Sequence, residues 1–384
     1  MIDERASTGS AWTSGGLISG IGTLDRLVSL QQVALAARRN LTKHVWDYLM
    51  GGAESETTLR RNRMAFDSVA FRPTILHDVR NVDCSAEFLG HKLRIPVMLA
   101  PIGSLQMLEP GGAVTVAKAA AAFGTISFMS SVTQPGRDQV GRATDAPKVF
   151  QLYVRGDRAW VDEQVKSAVA AGFKMFCLTV DTAHYSRRER DIISRWTPAA
   201  RRRDVEGREF QAALSWDDVR RFKDKHTIPL VLKGIATAED AAIAVRYGVE
   251  AIYVSNHGGR QLDHGRGTLD ILPEIVQAVA GRAAIVLDGG VMRGADVVKA
   301  RALGADAVAI GKLQGLGLGA GGEAGLVRTL ELLESEINVT MALLGARSFD
   351  EVDDSCVAPA EPVMAPHATS PYTMIGFEEL EYDR

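Results

Sequence analysis

The segment from Ser255 to Asp263, with the sequence SNHGGRQLD, places a histidine and an arginine in one glycine-containing turn. The imidazole of His257 can take a proton from an alcohol or a carbon acid near neutral pH. Arg260 follows three residues later, and its guanidinium can bind a carboxylate through two parallel hydrogen bonds. The pattern predicts a general base beside a group that binds an anion. The alternative is a loop whose own histidine and arginine only stabilise its structure. His264 is predicted to be an exposed loop residue rather than a second base.

Other polar residues stand at the carboxyl ends of short apolar runs, which is where parallel barrels carry their active sites. Asp181 ends one of these runs and can orient His257 and stabilise its protonated form, as a buried carboxylate does for a catalytic imidazole. Because the polar ends of six runs would meet at one face of a barrel, we expect a functional site there. These ends carry Gln151 and Tyr153, Thr179 and Asp181, Lys233, Ser255 to His257, Asp288, and Gly311 with Lys312.

Eight apolar runs, which alternate with segments of helical composition, would position these candidate site residues. Such alternation is typical of βα units around a parallel sheet. It predicts an α/β fold, a (β/α)8 TIM barrel with an N-terminal helical extension and flexible termini, while a doubly wound open sheet is the alternative. The apolar runs are 94–101, 125–131, 148–154, 175–181, 229–234, 251–256, 284–290 and 307–312. The helical segments include 113–122, 158–171, 238–247 and 294–303.

The domain organisation follows from changes in composition along the chain. Residues 1–24 are expected to form a flexible arm, 25–354 the barrel with its N-terminal helices, and 355–384 a C-terminal tail. The connection 182–214 is much longer than a usual βα loop, which predicts a lid or a binding element. It holds eight arginines against five acidic residues, so acidic small molecules or an acidic partner are expected there. For the cluster Arg201 to Arg203 a solvated, partly disordered excursion is the alternative.

Two glycine-containing loops are candidates for phosphate binding. Asp288 to Gly294 and Gly311 with Lys312 follow the seventh and eighth runs, where barrels often bind a phosphate. Their glycines expose backbone N–H groups, and Arg293 and Lys312 supply positive charge. A phosphorylated cofactor or substrate is therefore expected, and an isomerase or lyase acting on a phosphorylated substrate is one functional alternative. The stretch from Gly317 to Gly322 matches a dinucleotide fingerprint, but it lacks the βαβ context that would give the match weight.

Charge and cysteine content exclude several classes of function. Lysine and arginine number 44 against 47 acidic residues, a net charge of −3, which predicts no nucleic-acid or membrane partner. Three widely spaced cysteines provide neither a disulfide framework nor a paired-cysteine metal site, and no metal is expected. We therefore expect a cytoplasmic protein without a membrane span.

At the level of motifs the chain resembles the FMN-dependent 2-hydroxy acid oxidases and dehydrogenases, which include glycolate oxidase, lactate oxidase, lactate monooxygenase and mandelate dehydrogenase. The resemblance runs from about Leu41 to Ser348. It is carried by VSNHGGRQLD (254–263), LDGGVMRG (287–294), FQLYV (150–154), LTVDT (178–182) with Arg187 and Arg188, and LKG (232–234). WDYLMGGAE (46–54) and MALLGAR (341–347) extend it to both flanks.

The resemblance implies oxidation of an (S)-2-hydroxy acid, or a related α-hydroxy compound, to the 2-oxo product. A hydride, or a carbanion's electron pair, would pass from the substrate α-carbon to flavin N5 while His257 removes a proton. Arg188 and Arg260 would bind the carboxylate, Tyr153 the hydroxyl or developing oxyanion, and Lys233 would place positive charge beside the flavin. The implied FMN-binding residues are Pro101, Ile102, Gly103, Ser130, Gln151, Tyr153, Thr179, Lys233, Ser255, Asp288, Gly289, Gly290, Val291, Met292, Arg293, Gly311 and Lys312.

Some positions depart from the family pattern. Trp46 is assigned to the position of a tyrosine that helps to bind the substrate carboxylate, so a bulkier or differently anchored substrate, or a catalytically altered flavin-binding relative, is a further alternative. Val132 stands where glycolate oxidase has a tryptophan. Met292 and Lys312 each replace an arginine, which predicts weak retention of FMN. The electron acceptor stays open between oxygen, a quinone and a carrier protein, and the resemblance implies a homotetramer.

Overall fold

The structure is a computed structural model that describes residues 27–198 and 206–373. Eight parallel strands close into a barrel in which the last strand pairs with the first. The predicted (β/α)8 barrel is confirmed, and the open sheet is excluded because no edge remains in the ring. The barrel strands, β4 to β11, are Val97–Leu99, Ser127–Ser130, Lys148–Leu152, Met175–Thr179, Leu230–Ile235, Ala251–Val254, Ala284–Leu287 and Ala307–Ile310.

Helices cover the barrel and extend it at the N-terminal side. The predicted segments 113–122, 158–171, 238–247 and 294–303 are helices within one residue at either end. The α-helices, α1 to α13, are Leu30–Asn40, Lys43–Met50, Thr57–Asp67, Gly112–Phe123, Arg137–Ala143, Arg158–Ala170, Glu189–Ile193, Arg208–Ala212, Trp216–Lys225, Ala238–Arg246, Thr268–Val279, Gly294–Ala302 and Lys312–Leu344. The short 3-10 helices are Leu105–Met107, Phe349–Glu351 and Asp354–Cys356.

Within residues 27–198 and 206–373, four short strands lie outside the barrel. β2 (Ala86–Phe88) and β3 (His91–Leu93) form a hairpin beside it. β1 (Val69–Phe71) pairs with β12 (Val357–Pro359) in antiparallel register. The start of the predicted C-terminal tail is therefore attached to the fold by a strand pair, which differs from an expected flexible terminus. The flexible arm 1–24, the cluster Arg201 to Arg203 and residues 374–384 lie outside the described residues.

The strands form because their side chains are buried on both faces. Inside the barrel the rings of Phe128 and Tyr253 meet edge to face with centroids 5.6 Å apart, and Cys177 packs in the same cluster. The outward residues of the strands, such as Phe150 and Phe176, pack against the surrounding helices. This two-sided burial explains the continuously apolar runs of the sequence. The polar site residues therefore lie at the carboxyl ends of the strands.

The glycine-rich stretch 317–322 lies in the long helix α13, which breaks at Gly321 and Gly322. A Cβ atom at Gly317 would lie 2.6 Å from the Thr329 hydroxyl, and one at Gly319 would lie 2.9 Å from the Leu41 side chain. These glycines allow close packing of the helix, which explains why the sequence 317–322 matches the dinucleotide-binding fingerprint. In the described parts of the chain no helix is both long and apolar enough to span a bilayer.

Candidate active site

The carboxyl ends of the barrel strands surround a cavity of about 770 Å³. Fifteen of the site residues predicted from the sequence line this cavity. They are Pro101, Ile102, Gly103, Tyr153, Arg188, Lys233, His257, Arg260, Asp288, Gly289, Gly290, Val291, Met292, Gly311 and Lys312. The remaining seven predicted residues do not line it; they are Trp46, Ser130, Gln151, Thr179, Asp181, Ser255 and Arg293. The candidate site is thus assembled from all parts of the barrel.

His257 lies between a carboxylate and a phenol. Its Nδ1 is 3.0 Å from Asp181 Oδ1, and its Nε2 is 3.3 Å from the Tyr153 hydroxyl. A carboxylate only accepts hydrogen bonds, so Nδ1 carries the proton, and Nε2 of the neutral ring is an acceptor towards Tyr153. The backbone of His257 has a left-handed φ of 61°, and its N–H donates to Ser255 Oγ at 3.0 Å. The turn therefore fixes the free ring nitrogen towards the cavity.

Burial sets the protonation of this pair. Burial lowers the pKa of His257 below its ordinary value, and the nearby Asp181 only partly offsets this. For Asp181 burial alone would raise the pKa, but the charges of His257 and Lys233 hold it below the usual range. At neutral pH the imidazole is therefore neutral and the carboxylate charged. This is the protonation state that a general base requires.

Two buried arginines stand beside the histidine. Arg188 lines the cavity, and its Nε has no hydrogen-bond partner among the described residues. Arg260 donates to the carbonyl oxygens of Tyr48 and Gly51 at 2.5 and 2.8 Å. Burial, and then the charge of Arg188, lower the pKa of Arg260 to about 10. Two buried guanidinium groups close together favour the binding of an anion.

Tyr48, which the sequence analysis did not single out, lines the cavity in place of Trp46. Its hydroxyl donates to the Gly103 carbonyl at 2.8 Å, and Arg260 lies 4.9 Å from its ring centre. Trp46 instead packs in the core with Arg38 above its ring. Successive residues of an α-helix are rotated by about 100°, so residues two apart face nearly opposite ways. The assignment of Trp46 to the substrate site is wrong for this reason; the helical register of Lys43–Met50 was the missing signal.

Lys233 forms a second charged group at the base of the site. Its Nζ donates to Ser255 Oγ at 3.0 Å and lies 3.6 Å from Asp288 Oδ2. Burial alone would lower the pKa of Lys233, but Asp288 and Asp181 outweigh it and raise the pKa. The ammonium is therefore charged at neutral pH. Through Ser255, which also accepts from the His257 backbone, it is connected to the base.

Several strand-end groups are buried without partners. The amide of Gln151, the hydroxyl of Thr179 and Oδ1 of Asp288 have no hydrogen-bond partner within the described residues. Ser130 and Thr179 end the two strands on either side of Lys148–Leu152, in which Gln151 is the last residue but one, and all three side chains are fully buried without lining the open cavity. Unpartnered buried polar groups are costly, so their presence together indicates a ligand with hydrogen-bonding atoms along one edge.

The loop 288–293 provides backbone donors. Gly289 and Gly290 have φ of 93° and 95°, which side chains rarely adopt, and a Cβ at Gly290 would lie 2.7 Å from the Asn62 carbonyl oxygen. The N–H groups of Gly289, Gly290 and Val291 donate no hydrogen bond within the described residues. Successive N–H groups in such a turn form a site for an anion. The predicted phosphate loop thus has the donors that phosphate needs.

Arg293 does not contribute its charge to the cavity. Its guanidinium is 2.9 Å from Glu336, and its N–H donates to Asp296 at the start of the helix Gly294–Ala302. The prediction that Arg293 binds the cofactor is therefore wrong for its side chain, because Glu336 draws the side chain away from the loop. Lys312 does line the cavity, where its Nζ donates to the Gly258 carbonyl at 3.2 Å. Burial, and then Arg260, lower its pKa to about 7.

Two residues of the N-terminal helix Thr57–Asp67 support the site and were missed. Asn62 and Asn256 exchange amide hydrogen bonds of 2.9 and 2.7 Å beside His257. Arg63 donates to the Gly290 carbonyl at 2.7 Å and forms a paired contact with Asp296 at 2.7 and 2.8 Å. Nothing in the sequence distinguishes Arg63 from a surface charge, since its partners at the site, Gly290 and Asp296, are over 200 residues away.

The long connection contributes to the cavity wall as predicted for a binding element. Thr182 to Tyr185, Arg188 and Arg208 line the cavity. Arg208 lies 4.8 Å from the ring centre of Tyr185. In the described residues, no group of three or more histidine, cysteine, aspartate or glutamate side chains is arranged to hold a metal ion.

Comparison with known proteins identifies relatives over most of the chain. The model of the family described as FMN-dependent dehydrogenase matches residues 37–359. Glycolate oxidase of Spinacia oleracea is 40% identical over 353 residues, which cover 86% of this chain and 96% of the relative. A peroxisomal (S)-2-hydroxyacid oxidase of Arabidopsis thaliana is 38% identical, with coverages of 86% and 96%.

Solved structures agree with these relatives. A mandelate oxidase variant with benzaldehyde superimposes with a TM-score of 0.81 at 33% identity, covering 88% of this chain and all of the other. A flavocytochrome b2 variant with pyruvate bound gives a TM-score of 0.81 at 32% identity, with 87% of each chain covered.

The residues present fit the cofactor of this family. The unpartnered amide of Gln151 and hydroxyl of Thr179 suit the polar edge of a flavin ring, and the free N–H groups of Gly289 to Val291 suit its phosphate. The cavity joins both regions. The chain therefore belongs to the FMN-dependent dehydrogenase family and is an oxidoreductase that uses FMN.

Proposed function

We propose that this enzyme oxidises an (S)-2-hydroxy acid, or a related α-hydroxy compound, to the 2-oxo product. The observation that carries the proposal is the imidazole of His257, hydrogen-bonded to Asp181 and placed in one cavity with two arginines. A base beside a carboxylate site is what removal of a proton from a 2-hydroxy acid requires. The glycolate oxidase, the (S)-2-hydroxyacid oxidase and the mandelate oxidase carry such acids in their names, and the flavocytochrome b2 variant binds pyruvate, a 2-oxo acid; these names support the substrate class.

The proposed roles follow from the contacts of each side chain. Arg188 and Arg260 bind the carboxylate, which fixes the α-carbon near His257. Nε2 of His257 takes the proton, and the charge of Asp181 stabilises the resulting imidazolium. The hydroxyl of Tyr153 can donate a hydrogen bond to the substrate oxygen when it turns from Nε2. Bound FMN supplies the two-electron acceptor, and the ammonium of Lys233 stabilises negative charge next to it.

We propose that FMN is held by the predicted strand ends and loops. Pro101, Ile102 and Gly103 border one side of the cavity, and Gly311 with Lys312 lies at the end of the last strand. Ser130, Gln151, Thr179 and Ser255 supply buried polar atoms. The proposed donors for the phosphate are the N–H groups of Gly289, Gly290 and Val291 and the ammonium of Lys312.

The two alternatives are less well supported. An isomerase or lyase is excluded, because the family is one of oxidoreductases. The idea of a catalytically altered relative rested on Trp46 and on the altered phosphate loops. Trp46 lies away from the cavity while Tyr48 lines it, and Gly289, Gly290 and Val291 keep unpaired N–H groups among the described residues. We also propose a cytoplasmic homotetramer, as the sequence analysis expects. Light scattering of the purified protein tests the oligomer size.

An anaerobic screen tests the function directly. The holoenzyme is mixed with lactate, mandelate and longer 2-hydroxy acids without oxygen, and bleaching of the flavin absorbance is followed. We expect at least one (S)-acid to bleach the flavin and its (R)-enantiomer to fail. Because no oxidant is assumed, oxygen, a quinone and a carrier protein can be compared afterwards as acceptors. No bleaching by any hydroxy acid would contradict the proposal.

The pH dependence of flavin reduction should follow the protonation of His257. Burial places its pKa below the ordinary value of 6.5, and only the neutral form can accept a proton. The second-order rate constant of reduction should therefore be constant above this value and fall about tenfold per pH unit below the lowered pKa. Stopped-flow mixing with an active acid between pH 5 and 8 measures it, with FMN content checked at each pH. A midpoint above 6.5 would count against His257 as the buried base.

Binding of FMN should be coupled to a proton at Lys312. Without the cofactor its pKa is about 7, and the phosphate requires the charged ammonium. A rise in pH therefore weakens the binding of FMN. Because Lys312 must regain its proton to bind the phosphate, the dissociation constant should rise roughly fivefold between pH 7 and 8. Titration of the flavin-free chain with FMN, followed by fluorescence, gives the dissociation constants. In Lys312→Arg the guanidinium stays charged, so this slope should vanish; the same slope in that variant would assign it to another group.

A further inference from the structure

The chain continues past the part that it shares with its family. The family model ends at residue 359, yet the structure describes residues up to 373. Within this segment Ala368 lines the cavity that contains the active-site residues. Tyr372 is 2% exposed, and its hydroxyl donates to the Met292 carbonyl at 3.0 Å. A segment from outside the shared region thus contacts the phosphate loop.

The hydrogen bond from Tyr372 fixes the peptide group between Met292 and Arg293. The peptide between Met292 and Arg293 accepts from Tyr372 at its carbonyl oxygen, and its N–H donates to Asp296 at 2.9 Å. Asp296 also accepts from the Met292 N–H at 2.9 Å. Arg63 binds the Gly290 carbonyl on the other side of the loop. Every one of these contacts leaves the N–H groups of Gly289, Gly290 and Val291 free for a ligand.

The side chains of the loop offer little to an anion. Met292 is apolar, and Arg293 is paired with Glu336. The backbone N–H groups are therefore what the loop contributes, and their directions depend on its shape. Burial raises the pKa of Tyr372 well above its ordinary value, so its hydroxyl keeps the proton that it donates.

We propose that Tyr372 and the segment 360–373 form part of the FMN site of this chain, by fixing the loop 288–293 so that its free N–H groups bind the phosphate. Tyr372 is a positioning residue, because its hydroxyl acts through the Met292 carbonyl. The segment closes the cavity wall through Ala368. The inference concerns cofactor binding and does not depend on the identity of the substrate.

The test compares two flavins that differ in the phosphate. FMN and riboflavin are titrated separately into the flavin-free full chain, and quenching of flavin fluorescence gives both dissociation constants. Tyr372→Phe removes only the hydroxyl. We expect the dissociation constant of FMN to rise about fivefold, the effect of one buried hydrogen bond, and that of riboflavin to change less than about twofold. Release of FMN from the diluted holoenzyme should accelerate in parallel.

Tyr247→Phe is the matched control, because Tyr247 packs on Trp216 after the helix Ala238–Arg246, which places it at the amino ends of the strands. It should bind both flavins as the parent does. A second variant, the chain ending at Pro366, lacks Ala368 and Tyr372 and should show a selective loss at least as large. An unchanged affinity for FMN in Tyr372→Phe, or an equal loss for both flavins, would overturn the proposal.

Discussion

Replacing His257 with alanine is expected to slow flavin reduction by about 10²–10⁴-fold, the usual effect of removing a general base. The imidazole is the neutral acceptor in the cavity, with Nδ1 committed to Asp181 and Nε2 near Tyr153. Without it, the proton of the substrate has no acceptor of suitable pKa. Anaerobic stopped-flow mixing of the variant with an active 2-hydroxy acid measures the loss directly, since it records bleaching of the flavin and not the subsequent oxidation.

A neighbouring histidine supplies the control for this variant. His264 lies in the same loop, and its side chain is 68% exposed and outside the cavity. His264→Ala should reduce its flavin within about twofold of the parent, as a surface substitution does. Both variants should retain FMN, since neither side chain lies in the loop 288–293. Reduction of His257→Ala at the parental rate by every active acid would remove the histidine from the proposed mechanism.

Local patterns were enough to predict the barrel and the face that carries the site. Each strand is a short apolar run whose side chains are buried on both faces, so its position is encoded within a few residues. The polar residue at a strand end follows within two residues in the sequence, as Asp181 follows Thr179 and Asp288 follows Leu287. These residues were predicted because chain position and spatial position coincide at the end of a strand.

Residues outside the strands were harder to predict, for two physical reasons. Trp46 and Tyr48 lie on one short helix, and only the packed structure decides which of them faces the cavity. Arg293 carries the expected charge, but Glu336, from a distant helix, binds it. Tyr372 has no signal at all, because the segment around it lacks periodicity and its partner Met292 is 80 residues away. Such contacts arise from tertiary packing and have no local pattern.

The phosphate loop shows how these unpredicted contacts support the predicted residues. Gly289 and Gly290 provide its conformational freedom, but freedom alone does not define a binding geometry. Asp296, Arg63 and Tyr372 each bind a backbone group of the loop and leave its remaining N–H groups unpaired. The glycines and these three supports are therefore complementary parts of one anion site.

Arg188→Lys is expected to lower kcat/KM for a hydroxy acid by about 10–100-fold, which is the range for losing hydrogen bonds to a charged group. Arg188 is buried beside Arg260, its Nε has no partner in the part of the chain that the structure describes, and a substrate carboxylate would bind both arginines. A lysine keeps the charge but loses the planar fork. The loss should be smaller for the methyl ester of the same acid, which has no carboxylate to bind. Arg187→Lys is the matched control, because the side chain of Arg187 is 69% exposed and lies 3.7 Å from Glu189. If kcat/KM fell equally in the two variants, or equally for the acid and its ester, the substrate carboxylate would bind elsewhere.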